Sequence, residues 1–443
     1  MSGDALFQQH VDEVSRTFDS ALARSRHDGV LIAAGSAHGY FLDDQHAVFH
    51  PNPHFRHWVP AAASENCFLY YAPGRPPVLF YHQPRDYWHL PPAAPQGDWT
   101  SAFDIQIFAE DEQLPDLIRA HMGERVAYIG EAPELAGNLG IESRNPETLL
   151  DFLHYHRARK TPYECECIRA ATRKAVRGHL AARDTFRAGH SEFEIHQAYL
   201  GASRQREAEL PYPNIVALNE HASALHYQHY DHAPPSAMRS FLLDAGGCHR
   251  GYAADITRTY SAQADEFADM IAALDTEQQA LIAEIPRFKT YPELHHAMHL
   301  RIANILKRFD LVDMEPEAMV EQNVTFAFLP HGLGHLLGIQ THDVGGHLAS
   351  ENGGTRPPPA AYPALRLTRE LEPGLVFTIE PGLYFIPMLL EALRESANAP
   401  HLNWARIETF TRFGGIRIED NVLITDSGVE NFTRDAFAAA ESP

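Results

Sequence analysis

Cysteine is scarce in this chain, with four residues among 443. That is too few for a disulfide framework. Cys165 and Cys167 fall in a helical pattern, and Cys67 and Cys248 stand alone in apolar or turn surroundings, as expected of reduced thiols in the cytoplasm. Basic residues are also in deficit: 36 Lys and Arg against 58 Asp and Glu give a formal net charge of −22. A surface of that average sign repels nucleic acid and anionic membrane, so neither is expected as a main partner, although a local basic pocket is left open. Long apolar runs are missing too. No stretch approaches the ~20 residues of a spanning helix, and the longest candidate, 382–390, is interrupted by Pro387. The opening MSGDALFQQHVDEV is polar and partly acidic, which predicts no signal peptide.

What is present is globular material. Hydrophobic residues make up 44% and charged residues 21%, and the length suits two or three domains with a real core. Histidine is abundant, with 28 residues, and several crowd into 331–347. Imidazole is both a metal ligand and a near-neutral acid or base, so this stretch is where function is sought.

Along the chain, 8–26 predicts a helix and 30–32 a strand. Further strands are expected at 66–72, 77–82, 103–109 and 125–130, and helices at 113–122 and 146–159. This mixture predicts a small α/β domain over residues 1–158, with a Pro-rich loop at 89–97. Thr161-Pro162-Tyr163-Glu164 is a capping box with Pro at the first helical position, and Ser191 to Glu194 is a second box. Ile168, Ala171, Ala175, His179, Ala182 and Phe186 recur at helical spacing after the first. Helical patterns at 263–285 and 292–309, with strand patterns dominating 238–261 and 374–431, predict an α+β domain over 159–443 built on a mainly antiparallel sheet. The segment 351–363 reads as a surface loop.

Four segments of this second domain carry chemistry. In SFLLDAGGCHRGYAADITR, a hairpin centred near 249–250 sets Asp244 and Asp255 almost opposite each other. Such carboxylates repel unless a cation lies between them or one is protonated; they are otherwise two solvent-exposed acids near a turn. In PHGLGH, His331 and His335 are interleaved with glycines, and His342 follows; such a loop approaches a ligand closely or forms a surface turn. In GLVFTIEPG, Leu375, Phe377 and Ile379 face the core and Glu380 lies on the other face. In GGIRIEDNV, Arg417 and Glu419 share one face at i, i+2, which predicts a guanidinium beside a carboxylate. Together these supply four carboxylates and at least one imidazole. Such an oxygen-rich set with one His suits Mn²⁺, Co²⁺ or Zn²⁺, and its negative charge is better balanced by two ions than by one.

The ordered segments LLDAGG, AADITRT, HGLGHLLG, TIEPGLYF and GGIRIEDN resemble the pita-bread metallopeptidases, which include methionine aminopeptidase, aminopeptidase P and prolidase. The likeness is greatest to bacterial Xaa-Pro dipeptidases and the organophosphorus acid anhydrolases among them. It extends into the first domain through FLDDQHAVFHPNPHFRHWVP and YHQPRDYWH. The resemblance implies an α+β fold: a pita-bread catalytic domain preceded by a smaller creatinase-like α/β domain that dimerises and caps the active site.

It further implies that Asp244, Asp255, His335, Glu380 and Glu419 ligate two divalent cations, Mn²⁺ first among them, with Asp255 and Glu419 bridging. Asp244 completes one site, and His335 and Glu380 the other. Family members that lost the metals and became creatinases or binding proteins lack several of these ligands. A water between the ions is the implied nucleophile, and Glu380 shuttles its proton to the leaving nitrogen. His331 and His342 match outer histidines that hold substrate and stabilise the oxyanion, and His226 matches another pocket histidine. Arg417 is a candidate for orienting Glu419 or binding the substrate carboxylate, and Arg366 matches the position that clamps the proline carboxylate. Tyr212 resembles a pocket wall residue. Asp44 and Trp88 resemble residues that one subunit places over the other's active site. The implied reaction is hydrolysis of dipeptides ending in proline by a homodimer, with phosphotriester hydrolysis as a side activity and aminopeptidase P action on Xaa-Pro-Xaa peptides as the alternative. Thr341 departs from the apolar residue usual beside the pocket histidine, so a more polar small subsite is expected. With two ions adding about +4, the centre of this acidic protein is expected to be locally positive, lined by His226, His331, His342, Arg366 and Arg417.

Overall fold

The Gly3–Ser25 helix that opens the chain forms because Phe7, Val11, Val14, Phe18 and Leu22 recur every three or four residues, and all five are buried. They belong to the first of two units into which the chain divides, Met1–Cys167 with Leu348–Gly354 and Ile168–His347 with Thr355–Pro443. The computed structural model describes residues 3–61, 64–131 and 134–442.

The first unit is built on a six-stranded mixed sheet. Gly29–Ala33 lies inside it, buried throughout, antiparallel to Phe68–Tyr71 and parallel to Val126–Ile129. Val78–His82 and Asp104–Phe108 extend one side, and Ser143–Arg144 the other. Helix Glu147–Arg157 completes the unit's main elements. The apolar runs in the central strands, rather than alternation, mark a sheet covered on both faces.

Both capping boxes form, the one at Thr161 in the first unit and the one at Ser191 in the second. The Ser191 hydroxyl accepts from Glu194 N at 3.3 Å, and the Glu194 carboxylate accepts from Ser191 N at 2.9 Å. The long helices Glu266–Glu284 and Tyr291–Arg308 follow their apolar spacing. The strands pair antiparallel, but in several small sheets: Ser240–Asp244 lies between Ile215–Leu218 and Thr257–Ser261, and Asp420–Thr425 between Val376–Ile379 and Gly428–Asn431. Gly382–Tyr384 pairs with Gly415–Arg417.

Two expectations need correction. Asp244 pairs with Thr257, not Asp255. The hairpin Gly247–His249 with Tyr252–Ala254 turns at Arg250 and Gly251, whose positive φ values of 51° and 89° suit a tight two-residue turn and move its centre one residue further on. In addition, 374–431 is not all strand. Pro387 opens the helix Pro387–Arg394, and Asn403 caps Trp404–Thr411 by accepting from Arg406 N. Proline at the first helical position lacks only an N–H that would be unpaired anyway, so the residue that interrupted the apolar run starts a helix. Among the described residues, no helix is long and apolar enough to cross a membrane.

One buried acid of the first unit makes a testable contribution to stability. Glu164 is 1% exposed. Its carboxylate caps Thr161 N at 2.9 Å and lies 3.4 Å from His57 Nε2. Burial pushes this carboxyl up, but His57, then His10 and Lys160, bring it down to about 2. A depressed folded-state value stabilises the fold above the unfolded-state value of 4.5, and that stabilisation is lost as pH falls toward 2. Glu164→Gln is expected to cost about 3 kcal/mol at pH 7. Urea denaturation at pH 7, 4 and 3 checks this: the gap to wild type should narrow at the two lower values, and a constant gap would contradict it.

Candidate metal centre

Sheet fragments of the second unit deliver four of the five residues expected as ligands, and a loop carries His335. Asp244 ends one strand, and Asp255 stands between the short hairpin and Thr257–Ser261. Glu380 follows Val376–Ile379, and Glu419 precedes Asp420–Thr425. An isolated antiparallel bridge between Thr257 and Glu419 joins the first two fragments, and another between Leu336 and Phe377 brings in the histidine loop. That loop approaches because of Gly334: a Cβ there would lie 2.2 Å from the Thr378 carbonyl and 2.4 Å from the Tyr291 hydroxyl. Only glycine fits, and His335 N then donates to Thr378 Oγ1 at 3.2 Å. Both faces of Val376–Ile379 are buried, so Glu380 leaves a fully buried strand rather than a half-exposed one.

The donor atoms converge. Asp255, His335 and Glu419 each offer an atom, all within 4.8 Å of one another. His335 Nε2 lies 3.4 Å from Asp255 Oδ2, 3.8 Å from Glu380 Oε1 and 3.9 Å from Glu419 Oε1. The other ring nitrogen, Nδ1, lies 3.0 Å from the Leu336 carbonyl. A carbonyl only accepts, so Nδ1 carries the proton, and in a neutral ring Nε2 aims its lone pair at three carboxylates. Glu419 Oε1 is buried with no hydrogen-bond partner. Lone pairs facing one another in a buried space repel unless a cation or proton sits among them. Burial pushes Glu380 up to about 7 against the pull of His335, and it raises Asp244 and Glu419 as well. Only Asp255 moves down: burial raises it, but the hydrogen bond and charge of His335, with the Tyr212 hydroxyl and His342, together outweigh that. This donor set is short of positive charge and fits divalent cations.

The surroundings fix these side chains. Thr257 Oγ1 donates to Glu419 Oε2 at 2.9 Å. Asn421 pins the Asp255 backbone, accepting from its N–H at 3.0 Å and donating to its carbonyl. Arg417 turns to Asp244, not to Glu419: Nη2 reaches Asp244 Oδ2 at 2.8 Å, and Nη1 reaches the Tyr384 hydroxyl at 3.0 Å. The Tyr212 hydroxyl lies between Asp244 Oδ1, at 2.8 Å, and Asp255 Oδ1. Its place is among the carboxylates, not in the cavity wall. A phenol has one proton, so it serves one of the two carboxylates at a time.

The cluster floors a cavity of about 200 Å³ that opens to solvent and is also lined by Leu225, His226, His331, His342, Arg366 and Arg417. His331 is engaged at both ring nitrogens, with Gly332 O at 2.8 Å and the Tyr384 hydroxyl at 2.7 Å. Burial, then Arg417, lowers it to about 3. His342 packs edge-on against His335, with ring centres 4.4 Å apart. Burial, then His335, lowers it to about 4. Among the described residues, neither the His226 ring, the His342 ring nor the Arg366 guanidinium has a hydrogen-bond partner. Thr341 aims its hydroxyl at the Pro211 carbonyl, 3.5 Å away. Asp44 and Trp88 belong to the first unit and are exposed.

Sequence reasoning missed Tyr384, Thr257 and Asn421. A period-2 reading around the ligands would have found two of them, since Thr257 is two residues after Asp255 and Asn421 two after Glu419. Nothing local to Tyr384 marks it as the link between Arg417 and His331. Thr257→Val removes the hydroxyl that orients Glu419 and is expected to weaken divalent-cation binding about tenfold, as read by calorimetric titration of the chelator-stripped protein. An unchanged affinity would show that the threonine is dispensable.

Residues 5–155 match the family described as the N-terminal domain of Xaa-Pro dipeptidase, and residues 166–426 match metallopeptidase family M24. An Xaa-Pro dipeptidase from Pectobacterium carotovorum is 48% identical over 435 residues, covering 97% of this chain and 98% of its own. One from Stenotrophomonas maltophilia is 46% identical, covering 98% of each chain. Among solved structures, aminopeptidase PepP from Pseudomonas aeruginosa superposes with a TM-score of 0.71 at 23% identity, covering 98% of this chain and 99% of that one. Proline aminopeptidase P II from Yersinia pestis superposes with a TM-score of 0.70 at 21% identity, covering 99% of each. Those two likenesses establish the shared two-domain architecture. With the second match spanning more than half of the sequence and the dipeptidase alignments nearly all of it, the chain belongs to metallopeptidase family M24.

Proposed function

We propose that this chain is a metallo-dipeptidase that hydrolyses Xaa-Pro dipeptides. The observation that carries the reading is the composition of one cavity: a floor of crowded carboxylates and His335, and walls offering unpaired cationic or donor groups at Arg366, His226 and His342. Asp244, Asp255, His335, Glu380 and Glu419 would hold two divalent cations, Mn²⁺ in preference to Co²⁺ or Zn²⁺. When bound, the cations supply Lewis acidity and lower the pKa of a water that can attack the scissile carbonyl.

The remaining work falls to the protein. Glu380 takes the proton from the attacking water and delivers it to the proline nitrogen as the C–N bond breaks. Arg366 clamps the proline carboxylate through its planar fork of donors. His342 donates toward the oxygen that gains charge, and His226 holds the substrate. His331 donates too, once Nδ1 releases Gly332. Arg417 is committed to Asp244 and Tyr384, so its role is to keep Asp244 ionised and aligned.

Residues 1–158 are proposed as the dimerisation and capping domain and 159–443 as the catalytic domain. Phe41, Leu42, Tyr87, Trp88 and Leu90 in the first domain are strongly exposed. Large apolar side chains exposed in two stretches, at 41–42 and 87–90, suit burial against a second copy, which would set Asp44 and Trp88 over the partner's cavity. Four free cysteines fit a reducing, cytoplasmic location.

Turnover of Ala-Pro and Leu-Pro should exceed that of Xaa-Pro-Xaa tripeptides after chelation and addition of Mn²⁺. Faster tripeptide turnover would move the activity to aminopeptidase P, and no turnover with metal bound would remove the peptidase reading. Arg366→Ala should raise KM about tenfold or more with a smaller effect on kcat. Hydrolysis of paraoxon-type or fluoridate substrates is expected as a weak side activity. Light scattering should give twice the chain mass, and a monomer would remove the capping role of Asp44 and Trp88.

A further inference from the structure

Away from the metal centre, one buried acid spends both its oxygens on a single loop. Glu192 begins the Glu192–Ser203 helix and is 1% exposed. Its Oε1 accepts from Leu218 N and His221 Nδ1, and its Oε2 from the Tyr227 hydroxyl and Asp231 N, each at 2.8 Å. All four donors belong to the segment 218–231. The rings of His221 and Tyr227 stack at 4.5 Å between the two oxygens' partners, and Phe193 N donates to the Asp231 carbonyl at 3.2 Å.

The same segment presents Leu225 and His226 to the cavity. The His226 ring makes no hydrogen bond among the described residues, so its place is set by the backbone around it. Tyr227, the next residue, is one of the four groups anchored to Glu192. A carboxylate taken out of water is tolerated when its lone pairs are filled, and four donors, two of them backbone amides, fill this one.

We propose that Glu192 is a positioning residue: its carboxylate gathers the 218–231 loop and thereby holds His226 against the substrate. The proposal rests on the reading of the cavity as a dipeptide site. Glu192→Gln is the informative change, because each oxygen faces a backbone N–H. Wherever the new amide NH₂ lands, it meets a donor, and one anchor is lost with side-chain volume unchanged.

The test uses the full-length, metal-loaded protein and two readouts. Hydrogen exchange followed by mass spectrometry should show amides of 218–231 in E192Q exchanging about tenfold faster or more, with the five ligand segments unchanged. For an Xaa-Pro dipeptide, E192Q should raise KM about tenfold while kcat changes by less than about threefold. The E192Q/H226A double variant should be no worse than H226A alone, since both act through one imidazole. Tyr227→Phe removes a single anchor and should move exchange and KM the same way by a smaller factor, which keeps the test sound if E192Q folds poorly. Unchanged exchange, an effect confined to kcat, or E192Q and H226A effects that multiply would overturn the proposal. If wild-type protein cleaves no Xaa-Pro dipeptide, the activity reading fails on its own. The exchange measurement then still decides whether Glu192 holds the loop.

Discussion

The second unit is organised around a cost: four carboxylates and one imidazole are held together out of water. Each lone pair facing another raises the energy of the assembly, and His335 Nε2 with three acid groups inside 4 Å concentrates that cost at one point. The unpartnered oxygen of Glu419 is its clearest sign. Divalent cations would reverse the sign of the same arrangement, turning repelling lone pairs into ligands. A protein that keeps such a cluster assembled before the ions arrive makes the ions' binding energy large and their placement specific.

Keeping the cluster assembled requires a frame that does not relax. Asp420, next to Glu419, is fully buried between Arg258 and Arg434 at 2.7 and 2.6 Å. Burial would raise this carboxyl, and the two guanidiniums hold it low. Arg258 also donates to the Glu419 carbonyl at 2.9 Å. Arg434 reaches Gln278 Oε1, and Gln278 in turn donates to the Ile379 carbonyl beside Glu380. A balanced, fully bonded layer of charge therefore backs the unbalanced one. Breaking such a pair leaves a charge stranded in the interior, so strand ends that would otherwise fray stay in register.

Much of this was legible one segment at a time. Capping boxes placed the helices starting at Pro162 and Glu192, because the reciprocal bonds lie within four residues. The five candidate ligands were legible through their ordered motifs and their resemblance to a known family. The errors have physical causes. Asp255 does not face Asp244 because the turn residues Arg250 and Gly251 shift the hairpin centre, which alternation alone does not specify. The segment 387–394 became helix because proline is both a breaker within a strand and a starter at a helix N-terminus. Arg417 lines the cavity as expected but bonds Asp244 rather than Glu419, and Tyr212 bonds the two aspartates, because those partners lie on strands distant in sequence.

By itself, the sequence determined which donors exist, the local turns and caps that point them, and the family to which their order belongs. These depend on neighbours close along the chain. The tertiary structure alone decided which donor meets which acceptor: Arg417 with Asp244 across 173 positions, Thr257 with Glu419 across 162, and Glu192 with a loop beginning 26 residues on. Hydrogen bonds act over about 3 Å, and only the packing of strands distant in sequence brings these groups that close.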